Sequence, residues 1–89
     1  MQIRFLVIEN DIRLLGHLLK LSPTEEKLLR AIAENGRMTV DDLAELLNKG
    51  VGRGNVAVHV NAINRKAEHI SSRKLVIFKS DAYEINPYM

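Results

Sequence analysis

Apolar residues along the chain recur with a helical period in its middle and with a shorter, strand-like rhythm towards its ends. The longest helical pattern comes late. Val56, Val60, Ile63, Ala67 and Ile70 are spaced four, three, four and three apart, which places them on one helix face. The spacing predicts a helix from about Asn55 to His69, with Val58, Asn61, Ala62, Arg65 and His69 on the opposite face. An earlier stripe consists of Leu28, Leu29, Ile32 and Ala33. It follows Ser22-Pro23-Thr24-Glu25, where Ser22 can cap the first amides and Glu25 can reach back to complete a capping box. Pro23 sits where its missing N–H does no harm. Asn35-Gly36 ends this helix, with Gly36 suited to a left-handed position. Leu43, Leu46 and Leu47 mark a short helix between the two. Thr39 caps it, Asp41 and Asp42 favour its positive end, and Asn48-Lys49-Gly50 closes it.

The ends of the chain read as strands. QIRFLVI, residues 2–8, is rich in β-branched and aromatic residues. Glu9-Asn10-Asp11 is a turn signal; Ile12 to Leu15 and Leu18 to Leu21 read as two more strands, joined at Gly16-His17. The rival reading is one helix over residues 11–20, since Ile12, Leu15 and Leu19 have helical spacing. Gly16 at its centre would cost roughly 1 kcal/mol relative to Ala, and the strand reading is preferred. Near the C-terminus, Lys74 to Lys79 and Ala82 to Asn86 form two strands about a tight turn at Ser80-Asp81. The expected fold class is α+β, one domain over residues 1–89: a small N-terminal antiparallel sheet (1–21), a three-helix core (22–70) and a C-terminal hairpin (74–86). Three helices followed by a two-stranded hairpin are the parts of a winged helix-turn-helix.

Eighty-nine residues suffice for one small core. There is no cysteine, which removes disulfides, thiolate metal sites and cysteine nucleophiles. His17, His59 and His69 lack metal-ligand spacing, so neither metal nor cofactor is expected. No nucleophile–base pair is visible, and the chain is not expected to be an enzyme. No apolar run approaches membrane-spanning length and no signal-peptide pattern is present, so a cytoplasmic, nucleoid-associated protein is expected. The net charge of +2 is unevenly spread: residues 1–49 hold seven basic and eight acidic side chains, residues 50–89 six basic and three acidic. The positive bias lies in the half that holds the longest helix.

Three segments resemble the OmpR/PhoB-type DNA-binding domain of bacterial response regulators. Leu21-Ser22-Pro23-Thr24-Glu25 followed by Leu28-Leu29 looks like that family's helix-opening motif. Val56-Ala57-Val58-His59-Val60-Asn61-Ala62-Ile63-Asn64-Arg65-Lys66 resembles its recognition helix, and Ile77-Phe78-Lys79-Ser80-Asp81-Ala82-Tyr83 its wing. An N-terminal antiparallel sheet is also a feature of the family. The resemblance implies binding of double-stranded DNA, with the helix near 55–69 in the major groove and the wing in the adjacent minor groove. It places Asn55 and His59 near the backbone, Asn61 and Ala62 at base-facing positions, Arg65 at a phosphate and Lys79 in the minor groove. The chain departs from the family at Ala57, Asn61, Ala62 and Asn64, where charged residues are usual at several positions, and in its glycine-free wing turn. The loop over Asn48 to Gly54 is shorter than the family's polymerase-contacting loop, and no receiver domain is present within these residues. Met1 points to a stand-alone protein, with a piece of a larger protein as the alternative.

Asn61 can pair with adenine N6 and N7, and Val58 or Ala62 can pack on a thymine methyl, which favours A·T-containing sites. Arg53, Arg65, Lys66, Arg73, Lys74 and Lys79 are the candidate phosphate contacts. The expected function is a DNA-binding transcriptional regulator, with a homodimer on repeated half-sites as a compatible assembly. The alternative is a winged-helix interaction module that docks a regulator or an RNA polymerase subunit through the weakly charged face of Ala57, Val58 and Ala62.

Overall fold

The computed structural model describes residues 3–47 and 53–88, with only the backbone described at Arg53 and Gly54. The chain is α+β: helices α1 (Ile3–Ile8), α2 (Ile12–Leu19) and α3 (Pro23–Asn35), strand β1 (Arg37–Thr39), helices α4 (Val40–Leu47) and α5 (Arg53–Ser71), and strands β2 (Val76–Lys79) and β3 (Ala82–Ile85). The strands form one antiparallel sheet in the order β1-β3-β2. Strand β3 is central, and β1 and β2 are the edge strands.

The N-terminal sheet expected over residues 1–21 is corrected: the described part of this segment is helical. The strands expected at 12–15 and 18–21 are a single helix, the reading set aside because of Gly16. Ile12, Leu15 and Leu19 are all buried, so their three–four spacing, rather than local β preference, decides the conformation. Asp11 caps α2 by accepting from the Leu14 amide at 3.3 Å. Gly16 is buried, and a Cβ there would lie 3.2 Å from Cδ of Glu26 on α3. The nearest atoms to that Cβ all belong to the Glu26 side chain, and burial of the Ile12, Leu15 and Leu19 face outweighs the poor helix propensity of Gly16. In α1, Ile3 and Leu6 are buried while Phe5 and Ile8 face outward.

The helices expected in the 22–70 segment are present. Ser22 Oγ accepts from the Glu25 amide at 3.1 Å, and Glu25 Oε1 accepts from the Ser22 amide at 2.8 Å, the reciprocal bonds of a capping box. Gly36 ends α3 with φ of 79°. Thr39 Oγ1 accepts from the Asp42 amide at 3.1 Å and caps α4. The sequence expectation for residues 37–39 was only this cap; the same residues pair with β3 in the register Arg37 to Glu84 and Thr39 to Ala82. The close of α4 at Asn48-Lys49-Gly50 lies outside the described residues.

One core joins these elements. Ile12 and Leu15 from α2, Leu28, Leu29 and Ile32 from α3, Leu43 from α4 and Val56 and Ile63 from α5 are fully buried, with Leu75 at the start of the hairpin. Val60 and Ala67 complete the buried stripe of α5, but Ile70 is exposed and falls outside it.

Candidate nucleic-acid interface

The buried stripe of α5 fixes which of its residues are left outside. Asn55, Val58, Asn61 and Arg65 are exposed, and Val58 is 64% accessible. Ala57, His59 and Ala62 are half-buried at the flanks. Glu68, outside the pattern of candidate contacts, is exposed one turn beyond Asn64 and adds an acidic group near the C-terminal part of the helix. His59 and Asn55 line a recess of about 350 Å³ together with Thr24 and Lys27 of α3.

The hairpin stands beside this helix and is held to it by Asn64, one of the positions at which the sequence departs from the OmpR/PhoB-type pattern. Asn64 is buried at 7% accessibility. Its Nδ2 donates to the Val76 carbonyl at 2.9 Å, and its Oδ1 accepts from the Val76 amide at 2.8 Å. Strand β2 lies at the sheet edge, so its outward backbone groups have no neighbouring strand. A carboxamide presents a donor and an acceptor side by side, as a peptide group does, and so completes the edge. No spacing rule could reveal this, because the partner appears only once the hairpin has folded against α5.

A second clamp holds the wing at its tip. Arg37 of β1 donates through Nη2 to the carbonyls of Lys79 at 2.8 Å and Ser80 at 2.5 Å. Ser80 and Asp81 both have positive φ, 53° and 64°, as a two-residue hairpin turn of type I′ requires. Phe78 and Tyr83 are cross-strand partners with ring centroids 4.9 Å apart and a 60° interplanar angle. The expected strands thus pair in register, from Val76 opposite Ile85 to Lys79 opposite Ala82.

The basic side chains divide between those that face outward and one that is engaged within the fold. Arg65, Lys74 and Lys79 are exposed. Arg73 is exposed and donates to the Tyr88 carbonyl at 2.9 Å, which leaves its charge outward. The side chain of Arg53 lies outside the described residues. Lys66 is engaged within the fold. Its Nζ lies 2.5 Å from Glu25 Oε1 and 3.2 Å from the Lys20 carbonyl. The ammonium is thus spent on joining α5 to the end of α2 and the start of α3. Glu25 has 6% side-chain accessibility. Burial pushes its carboxyl pKa up, but the hydrogen bond from Lys66, the Ser22 amide and the Lys66 charge together outweigh that, and the pKa falls below the usual 4.5. The buried carboxylate stays ionised and holds the lysine inward.

The exposed face of α5 and the wing meet at a cleft of about 350 Å³, lined by Asn61 and Asn64 on the helix and by Lys74, Val76, Phe78 and Tyr83 on the hairpin side. Asn61 and Lys74 therefore share one surface with the wing. Among the described residues no cluster of His, Asp and Glu could hold a metal ion, and no helix is long and apolar enough to cross a membrane.

No curated protein and no solved structure matches the chain. Residues 21–62 match the model of a family described as winged helix-turn-helix DNA-binding. The matched segment begins at the residue before the α3 cap, takes in β1 and α4, and ends on α5 at Ala62. With the hairpin packed beside α5, this match supports a winged-helix DNA-binding domain.

Proposed function

We propose that the chain is a double-stranded DNA-binding regulator that places α5 in the major groove and the β2–β3 wing in the adjacent minor groove, as a single winged-helix domain. The observation that carries this reading is the shared surface: the face of α5 opposite its buried stripe adjoins the wing across one cleft. A helix that enters a groove needs base-reading groups at its centre and phosphate donors around them. Asn61 is the adenine reader, with Val58 and Ala62 against thymine methyls. Arg65, Arg73, Lys74 and Lys79 are the backbone donors, joined by Arg53, Asn55 and His59 near the start of the helix. The likeness to the OmpR/PhoB type supports this contact pattern on α5. It does not extend to the N-terminus, where α1 and α2 stand in place of that type's sheet.

The reading is tested by titrating purified protein against random and genomic duplexes at several salt concentrations. Without Lys66, four to five engaged cations give a log–log slope of roughly −3.5 to −4.5. Arg65→Ala weakens every duplex alike, whereas Asn61→Ala changes the preferred sequence. The length of the protected site reports whether one copy or a pair on repeated half-sites binds. A slope near zero would reject the DNA reading. Val58, exposed at 64% on the outer face of α5, favours the second reading, a docking surface for a regulator or polymerase subunit. In that case Val58→Asp abolishes partner capture and the protein shows no duplex affinity.

A further inference from the structure

Phe78 is a large apolar side chain that the fold leaves 54% accessible on the wing. One side of its ring rests on Tyr83, at 4.9 Å between centroids, which holds the ring without covering it. It borders the cleft between α5 and the hairpin, whose other walls include Asn61 on the helix and Lys74 before β2. The cross-strand pair with Tyr83 engages one side of the ring and leaves over half of the residue open to solvent.

We infer that this cleft is the channel for the sugar–phosphate strand that separates the two grooves, with Phe78 packed on a deoxyribose and Lys74 on a neighbouring phosphate. The inference rests on the DNA-binding reading above and goes one step further. A protein that inserts a helix in one groove and a wing in the next must pass the intervening strand between them. In this molecule the space between helix and wing is the cleft of about 350 Å³. Its wall combines an apolar ring with an ammonium group. A DNA strand presents the matching alternation of C–H-rich sugars and anionic phosphates, and the ring offers no hydrogen bond with which to read a base edge. The cleft is held open at a defined width, because Asn64 ties β2 to α5 and Arg37 holds the wing tip.

The two walls make different demands on an experiment. Phe78→Ser removes apolar contact and no charge, so it lowers duplex affinity about five- to tenfold, from half a phenyl side chain left unburied, with the salt slope unchanged. Phe78→Leu recovers most of that loss. Lys74→Ala lowers the magnitude of the slope by about 0.9. Hydroxyl-radical footprinting, which attacks deoxyribose, reads the contact itself. The wild-type protein protects a short run of sugars on the strand between the two groove contacts, and Phe78→Ser loses that protection while retaining protection at the helix contact. Thermal melts of each variant confirm that the fold is intact. If wild type binds duplex with the expected slope but Phe78→Ser keeps full affinity and the same footprint, the channel assignment is wrong and the DNA reading stands. If wild type binds no duplex, both fall.

Discussion

Replacing Asn64 by Ala should loosen the wing and lower the stability of the whole domain. The substitution removes two hydrogen bonds, of 2.9 and 2.8 Å, between the carboxamide and the backbone of Val76. Each of the two buried partners left unsatisfied, the Val76 amide and carbonyl, costs about 1–3 kcal/mol. Asn64 borders the cleft beside the wing, so water can reach the vacated space and the penalty falls in the lower half of that range. The expected loss is about 3 kcal/mol, a large share of the roughly 4–13 kcal/mol typical for a domain of this length. In a thermal melt this lowers the midpoint by about 12–24 °C. Asn61→Ala, at an exposed site on the same helix, is the control and changes stability by less than about 0.5 kcal/mol. Amide exchange adds a local test, since the Val76 amide loses its acceptor and exchanges faster. A loss below about 1 kcal/mol, or an unchanged Val76 amide, would refute the argument that Asn64 completes the edge of β2.

Other expectations follow from the same geometry. Lys66→Met deprives the buried Glu25 carboxylate of its cation and lowers stability by about 1–2 kcal/mol, discounted for the partly exposed lysine, while the salt slope of DNA binding stays unchanged. Because the Glu25 pKa is lowered in the folded state, its contribution is fully present above pH 4.5 and is lost as pH falls through the folded value. Acid titration of stability should therefore show a decline below pH 4.5 that is shallower in Lys66→Met. Asp81→Gly relieves a left-handed residue at φ of 64° and stabilises the hairpin by about 0.5–1 kcal/mol. It also removes an acidic group from the wing tip, so duplex affinity rises; a destabilised variant in chemical denaturation would contradict the first half of this expectation. Gly16→Ala improves helix propensity by up to about 1 kcal/mol but pushes on Glu26 at 3.2 Å. Glu26 is a flexible, partly exposed side chain, so a small net gain is expected in the same denaturation assay.

What the sequence reveals and what it hides divide along the range of the interactions. Ser22, Pro23 and Glu25 announce the start of α3 because a capping box closes within four residues. Thr39 does the same for α4. The stripe of Val56, Val60, Ile63 and Ala67 gives α5 its inner face, and hence the outward placement of Asn61 and Arg65. The N-terminal segment misleads because its β-branched residues favour strands locally, while burial of Ile3, Leu6, Ile12, Leu15 and Leu19 in the shared core decides for helices. Gly16 looks like a turn until that burial is known. Lys66 and Arg65 are adjacent and equally basic on paper. Only the fold brings Glu25, 41 positions away, to Lys66 and so separates a structural cation from a candidate phosphate contact. Asn64 is hidden for the same reason, since its partner is a backbone position on a strand that pairs later in the chain.

In the proposed reading, α5 reads base edges in the major groove through Asn61. This contact is tested most directly by replacing purines one at a time with 7-deaza analogues in a duplex selected by the protein, since these lack the N7 acceptor that faces the major groove. The account predicts a loss of about five- to a hundredfold in affinity at one or two adenines under α5, the range for a bidentate pair, and no such loss with Asn61→Ala. Uniform affinity across every substituted duplex would contradict it.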